Sequence, residues 1–343
     1  MSKNNITPVV ADATAIAQAA NLLRQGRLVA FPTETVYGLG ADTKNPVAVA
    51  GIFKAKGRPA DHPLIVHIAD IDSLGDWAGT VPDAALKLAD RFWPGPLAII
   101  LNKKPEVPLA VTGGQQTVGL RMPDHPVALA LLKSFGGGIA APSANRFCRI
   151  SPTLAPHVSE ELGDAVDMIL DGGACQVGVE STIIDLSGSK PRLLRPGHIT
   201  VQEIEAVLQT ELIVPSASKL TEIRTPGMMD VHYAPTTPAI RCPAEQLPDK
   251  IRQLAADGKK IGLLSYRLDI PPSGQVRVLR MPEQVGDYAQ RLYAVLRELD
   301  SMQLDLILLE QPPQTEPWQA INDRLRKATT ESRLTVSRVF KKS

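Results

Sequence analysis

Short apolar runs alternate with helix-spaced stretches through residue 210 of this 343-residue chain, and that alternation argues for one α/β domain. Residues 13–25 have helical spacing and stop at Gly26; an apolar strand over 28–31 then ends at Pro32. Residues 47–56 read as a helix, 64–68 as a strand rich in branched residues, and 83–92 as a helix halted by Trp93-Pro94-Gly95-Pro96. Further strands are expected at 97–101, 117–121, 138–141, 168–171 and 182–186, with helices at 127–135 and 201–208.

The rhythm breaks near Glu211. Ser, Thr, Pro and Gly fill 215–238 without periodicity, so a linker is drawn over 211–238; undecorated stretches of this length are usually functional or disordered. A second alternation comes after it: helix 249–257, strands 260–265 and 275–279, a long helix 283–302, strand 306–310 and helix 318–329. It predicts a smaller Rossmann-like domain over 239–343, and without a G-x-G-x-x-G run no dinucleotide site is inferred there. Lys+Arg 37 against Asp+Glu 36 leaves a net charge of +1, which speaks against a strongly basic nucleic-acid binder. No apolar run approaches the roughly 18 residues of a membrane span. Asp12 and Arg24 interrupt what a signal peptide would need, so a cytoplasmic protein is expected. Cys148, Cys175 and Cys242 lie far apart and suggest neither a disulfide framework nor a zinc site.

Walker A, H-E-x-x-H, G-x-S-x-G and kinase signatures are absent, and the chemistry is left to polar loops at strand ends. In FKAKGRPADHPLIVHI (53–68), Lys54, Lys56 and Arg58 fall within five residues. Gly57 lets the backbone approach a ligand closely, and Pro59 and Pro63 stiffen the loop beyond it. Such a cluster can seat a polyphosphate, Arg forking onto two oxygens and Lys adding point charge; it equally suits a solvated helix end. PTETVYGLGAD (32–42) sets Thr33, Glu34, Thr35 and Tyr37 after a strand, where the hydroxyls can orient a small polar ligand or the run can simply make a Thr-rich turn. Arg121 ends TGGQQTVGLR, fit for a carboxylate or for the surface. AAPSAN (140–145) brings Ser143 and Asn145, with Ser151 and Thr153 a few residues on; GVESTIID (178–185) and LLRPGH (193–198) add Ser181 and Arg195.

Together, KGR at 56–58, PLIVHI at 63–68, RMP at 121–123, PSAN at 142–145, ESTIID at 180–185 and LLRPG at 193–197 resemble the YrdC-like threonylcarbamoyl-adenylate synthase family. Its marker, Lys-x-Arg with Ser-x-Asn far downstream, matches Lys56, Arg58, Ser143 and Asn145. TPGMMDVHYAP (225–235) and the downstream domain resemble the long, two-domain form, so the likeness covers nearly the whole chain. It implies an open, twisted α/β sheet with a large concave cavity over 1–210, a linker covering the active site, and a smaller Rossmann-like α/β domain. The implied enzyme is a nucleotidyltransferase that condenses L-threonine, bicarbonate (or carbon dioxide) and ATP to threonylcarbamoyl-AMP and pyrophosphate. A downstream transferase complex would then move the threonylcarbamoyl group onto adenosine beside the tRNA anticodon.

Carried over residue by residue, the resemblance assigns Thr35, His67, Arg121, Ala141 and Ser181 to threonine. Lys54, Arg58, His62, Thr117, Ser143, Ser151, Arg195 and Tyr233 fall to ATP, and Lys56, Arg58, Ser143 and Asn145 to catalysis. Mg²⁺ arriving with ATP is the implied cofactor, no structural metal is expected, and weak RNA contact without membrane contact completes the expected partners. Three departures stand out. His62 occupies a place where the family more often has Asn; Met229 and Val231 replace basic residues of the linker motif; and Cys148 stands where long-form members usually have Gly, which would strain it if φ is positive there. Two competing readings remain. A non-catalytic RNA-binding protein is opposed by near-neutral charge and 4% aromatics. A carbamoyl-adenylate-forming relative from hydrogenase maturation would need acylphosphatase-like and zinc-finger segments, for which the chain has neither paired cysteines nor room.

Overall fold

The first sheet is built from ten strands: β1 (Val9–Val10), β2 (Val29–Phe31), β3 (Gly38–Asp42), β4 (Ile65–His67), β5 (Leu97–Asn102), β6 (Thr117–Arg121), β7 (Ile139–Ala140), β8 (Met168–Asp171), β9 (Thr182–Asp185) and β10 (Arg192–Arg195). Their order is β1-β8-β2-β3-β7-β4-β6-β5-β9-β10. Parallel and antiparallel neighbours are mixed: β4 runs parallel to β6, while β3 and β7 run antiparallel to each other. The computed structural model describes residues 6–214, 223–227, 229 and 231–329. It divides into two units, one of residues up to 147 together with 152–228, the other of 148–151 together with 229 onward.

Side chains alternate across a strand, so each strand of this sheet contributes to two layers. Ala30, Val66, Leu97, Ile99, Leu101, Val118, Leu120 and Ile169 face the main core with the helices Pro46–Lys56 and Asp83–Phe92. The opposite face carries two separate apolar clusters. One is Val29, Phe31, Ile139, Met168 and Leu170 under the helices Ala13–Arg24 and Pro126–Phe135; the other is Ile65, Ala98, Ile100 and Ile183. Between them, by the same alternation, fall His67 and Arg121, paired across β4 and β6. These two polar side chains therefore share a face with the two apolar clusters, as Thr117, Asn102 and Asp185 do further along the strands.

β3, expected as part of a polar loop, is instead a central strand of sequence GLGAD. Its glycines hide it, because they carry no branched side chain, yet the packing demands them: a Cβ on Gly40 would sit 2.9 Å from both Ile139 and Phe31. Strands β1 and Ala239–Cys242 and the helix Ala155–Leu162 also lack a sequence signal strong enough to draw. The expected strand 138–141 shortens to β7, and the helix 201–208 appears with a Thr200/Glu203 capping box. Part of the expected linker (215–222, 228 and 230) and residues 330–343 lie outside the described residues. Residues 223–227 belong to the first unit, where Arg224 pairs with Asp61 at 2.9 Å and its amide binds Gln115.

The second unit is a four-stranded parallel sheet of β11 (Ala239–Cys242), β12 (Ile261–Ser265), β13 (Val276–Arg280) and β14 (Leu306–Glu310), ordered β11-β14-β12-β13. The helices Leu247–Ala256, Val285–Ser301 and Gln319–Ala328 accompany it, as the second alternation predicts. At the carboxyl ends of β12 and β14 the buried Glu310 carboxylate accepts the backbone amides of Tyr266 (2.6 Å), Arg267 (3.2 Å) and Leu268 (3.1 Å) and the hydroxyl of Ser265 (3.2 Å). Cys148, Cys175 and Cys242 are not joined in disulfides. No helix among the described residues is long and apolar enough to cross a membrane.

Candidate active site

The chain leaves β2 at Phe31, makes a six-residue loop (32–37), and returns as β3. The Thr33 hydroxyl organises this loop: it donates to the carbonyl of Val36 at 2.6 Å and accepts the amides of Thr35 and Val36 at 3.2 Å each. The turn so fixed carries Glu34 and Thr35 to Arg121 at the end of β6. Arg121 Nη2 lies 2.7 Å from the Glu34 carboxylate and donates to the Thr35 hydroxyl at 2.9 Å; its Nε reaches the carbonyl of Gly95 at 3.4 Å. Its Nη1 takes no partner among the described residues. Among the described residues neither Glu34 oxygen receives a hydrogen bond, and one ion pair, to Arg121, holds that buried carboxylate.

His67 sits opposite Arg121 across the β4–β6 ladder, its ring perpendicular to that of Phe31 with centroids 6.1 Å apart. Burial, and then the neighbouring Arg121 charge, lower its pKa to about 3, so the imidazole is neutral at physiological pH. Its Nδ1 is buried without a hydrogen-bond partner. Ala141 comes directly after β7, and its amide donates to Ile65. Arg195, the last residue of β10, donates through Nε to the Ser181 carbonyl at 3.0 Å and through Nη2 to the Ser181 hydroxyl at 3.1 Å. Its Nη1 donates to the carbonyl of Pro226 at 3.1 Å.

The cationic cluster divides. Asn45 caps the helix Pro46–Lys56, with Pro46 in the first turn, and Gly57 ends it in the left-handed region at φ 62°. Residues two apart on a helix do not share a face. Lys56 is accordingly buried and donates to the carbonyls of Ser143 and Asn145, while Lys54 is exposed. Arg58 closes its own loop on the Pro63 carbonyl at 3.0 Å, and the His62 ring meets Phe147 edge-on at 5.5 Å. Burial and the Arg58 charge lower the His62 pKa, which leaves it neutral at pH 7. Thr117 begins β6, about 13 Å along the strand from Arg121. Ser151 and Tyr233 belong to the second unit, Tyr233 at φ 59° with its ring stacked on Tyr293.

The first unit thus brings Thr35, His67 and Arg121 together, ties Ser181 to Arg195, and ties Lys56 to the PSAN loop. Glu34 joins them, a residue that sequence reasoning leaves without a role. Its one signal is an acid set between two threonines in a loop at a strand end. A separate cleft of about 660 Å³, bounded by Ile68–Asp70 and Gly136–Gly138, contains none of these residues.

The mixed α/β sheet, with its buried guanidinium at a strand end and a lysine tied to a distant Ser-x-Asn loop, falls within a match to the Sua5/YciO/YrdC class of domain. The family model of that class, described as Telomere recombination, matches residues 21–197. A second model, described as the C-terminal domain of threonylcarbamoyl-AMP synthase, matches 199–330. The threonylcarbamoyl-AMP synthase of Bacillus subtilis is 46% identical over 321 residues, 91% of this chain and 92% of that protein. Its counterpart from Pyrococcus abyssi is 43% identical over 322 residues, 91% of this chain and 93% of that protein. The crystal structure of P. abyssi Sua5 complexed with L-threonine matches with a TM-score of 0.87 at 41% identity, covering 92% of this chain and 94% of that one. The chain belongs to the threonylcarbamoyl-AMP synthase family in its two-domain form, and is an enzyme of the nucleotidyltransferase kind.

Proposed function

We propose that this enzyme condenses L-threonine, bicarbonate or carbon dioxide, and MgATP to threonylcarbamoyl-AMP and pyrophosphate in the cytoplasm. A tRNA-modifying transferase complex then takes the product to form N6-threonylcarbamoyladenosine. The observation that carries this reading is Arg121: a buried guanidinium with an unpartnered Nη1, flanked by an uncharged His67 and the hydroxyl of Thr35. Such a site suits a small amino acid carboxylate, and a relative 41% identical was crystallised with L-threonine.

Threonine, with Thr35, His67, Arg121, Ala141 and Ser181 around it, loses a proton from its ammonium group. The amine nitrogen adds to carbon dioxide, a second proton leaves, and a carbamate results. A carbamate oxygen attacks the α-phosphorus of ATP and pyrophosphate departs. The protein's task is to align anions that repel one another. Lys56 and Arg58 offset charge on the leaving pyrophosphate, while Lys54, His62, Thr117, Ser143, Ser151, Arg195 and Tyr233 complete the nucleotide set. Asn145 holds the Ser-x-Asn loop in register with Lys56. Mg²⁺ enters as part of the nucleotide substrate and supplies charge neutralisation on the phosphates. Among the described residues no three His, Cys, Asp or Glu side chains converge.

The test is pyrophosphate release from ATP and Mg²⁺, with and without L-threonine and bicarbonate. Release that requires both, and is lost in Lys56→Ala and Arg121→Ala proteins that remain folded by circular dichroism, supports the reading. ATP turnover indifferent to threonine overturns it.

A further inference from the structure

We propose that Glu34 receives the α-ammonium group of the substrate, and that in the free enzyme it waits on Arg121 in place of the substrate's carboxylate. The proposal rests on the threonine reading above. Its physical basis is a buried charge balance. Glu34 is 3% exposed and Arg121 is 5% exposed, and they face each other at 2.7 Å. A carboxylate buried this deeply normally collects two or more donors, yet neither Glu34 oxygen has a hydrogen bond. Glu34 does not lack positional control: its backbone carbonyl accepts the Val177 amide at 2.7 Å, and its neighbours Thr33 and Thr35 are both fixed by side-chain bonds. The unmet capacity therefore lies in the carboxylate alone, at the residue that touches the carboxylate-binding arginine.

A zwitterion resolves this arrangement. Threonine carries one negative and one positive charge, and so does the Arg121–Glu34 pair. When the substrate carboxylate takes the guanidinium and its ammonium takes Glu34, one buried pair becomes two, with no charge left over. A ligand that has the carboxylate without the ammonium would instead strand Glu34 as a buried, unpaired anion, which proteins resist strongly. The neighbouring groups offer no substitute cation: His67 is neutral, and His125 is held below its ordinary pKa by burial. Glu34 thereby makes the site selective for α-amino acids over the corresponding hydroxy acids. It also holds the nitrogen that must later be carboxylated.

Isothermal titration calorimetry on the full chain tests this with two ligands: L-threonine, and the 2,3-dihydroxybutanoate of matching configuration, which has a hydroxyl in place of the amine. The wild-type protein is expected to bind the hydroxy acid at least about 100-fold more weakly than threonine. Glu34→Gln is expected to weaken threonine about 10- to 100-fold, as loss of a charge-assisted bond does, and to bind the hydroxy acid more tightly than the wild type does. A residue that only props Arg121 would behave differently: Glu34→Gln would then weaken both ligands by the same factor, and that result overturns the proposal, as does no change for either. If Glu34→Gln fails to fold, Glu34→Asp carries the test; it keeps the charge and must keep the preference for threonine, whose loss would also overturn the proposal. Failure of the wild-type protein to bind threonine at all strikes the proposed function itself and is read separately.

Discussion

The side-chain ammonium of Lys56 lies 2.5 Å from the carbonyl oxygen of Ser143 and donates to the carbonyl of Asn145 as well. The two halves of the family marker are thus joined by a side chain reaching backbone, which makes Lys56 a part of the framework that holds the Ser-x-Asn loop. Lys56→Met keeps the aliphatic length but removes every donor. Leaving the two carbonyls without this partner should cost about 2 kcal/mol. Thermal unfolding should then fall by several degrees together with the loss of pyrophosphate release. An unchanged melting temperature with lost turnover would restrict Lys56 to charge stabilisation.

His67 gives a pH dependence with a definite sign. Its folded pKa of about 3 lies below the ordinary 6.5, so the unfolded chain binds a proton that the folded protein refuses. The resulting stability is present in full above pH ~6.5 and is lost as pH falls toward 3, with a limiting slope of about 1.4 kcal/mol per pH unit for one proton. His67→Gln should remove that contribution. Urea unfolding at pH 7 and pH 5 should show a smaller decline for the variant than for the wild type, and equal declines would contradict the assignment.

Gly197 packs against the Ser181–Thr182 backbone, beside the Ser181 groups that Arg195 binds. A Cβ there would meet the Thr182 amide at 2.2 Å and the Ser181 carbonyl carbon at 2.6 Å, both of them backbone, so no rotamer can clear the clash. Gly197→Ala should destabilise the first unit by about 1–3 kcal/mol. It should also draw Arg195 off Ser181, raising the KM values for substrate. Calorimetry and steady-state kinetics on one preparation would read both effects.

Cys148 adopts φ 63°, the left-handed conformation that strains a non-glycine residue. Cys148→Gly should relieve it. Partly offset by the greater freedom of glycine in the unfolded chain, the net gain should be about 0.5–1 kcal/mol, visible as a small rise in melting temperature.

How much of the molecule is legible in sequence depends on what kind of signal each part leaves. Branched strands such as Ile65–His67 and Met168–Asp171 show themselves, and so does the strand that ends at Arg121. β3 does not, because a glycine-rich central strand is required by its neighbours rather than by its own composition. The three cations at 54–58 look alike as letters; only the helix phase separates an exposed Lys54 from a buried Lys56. Glu34 is equally visible in the chain, but its meaning depends on a contact with a strand far along it, which no local pattern encodes.

Glu310 has a consequence for how the second unit keeps its shape. Many open α/β sheets present an anion-seeking loop at the carboxyl ends of their strands and leave it for a metabolite to fill. Here the loop after β12 is filled from within the same chain, by a carboxylate tethered at the end of β14. An intramolecular ligand has a fixed effective concentration, whatever the cell's pools of phosphate or nucleotide are doing. The order of that loop should therefore be indifferent to metabolic state, so that starvation or plenty alters what the first unit can make without loosening this part of the second.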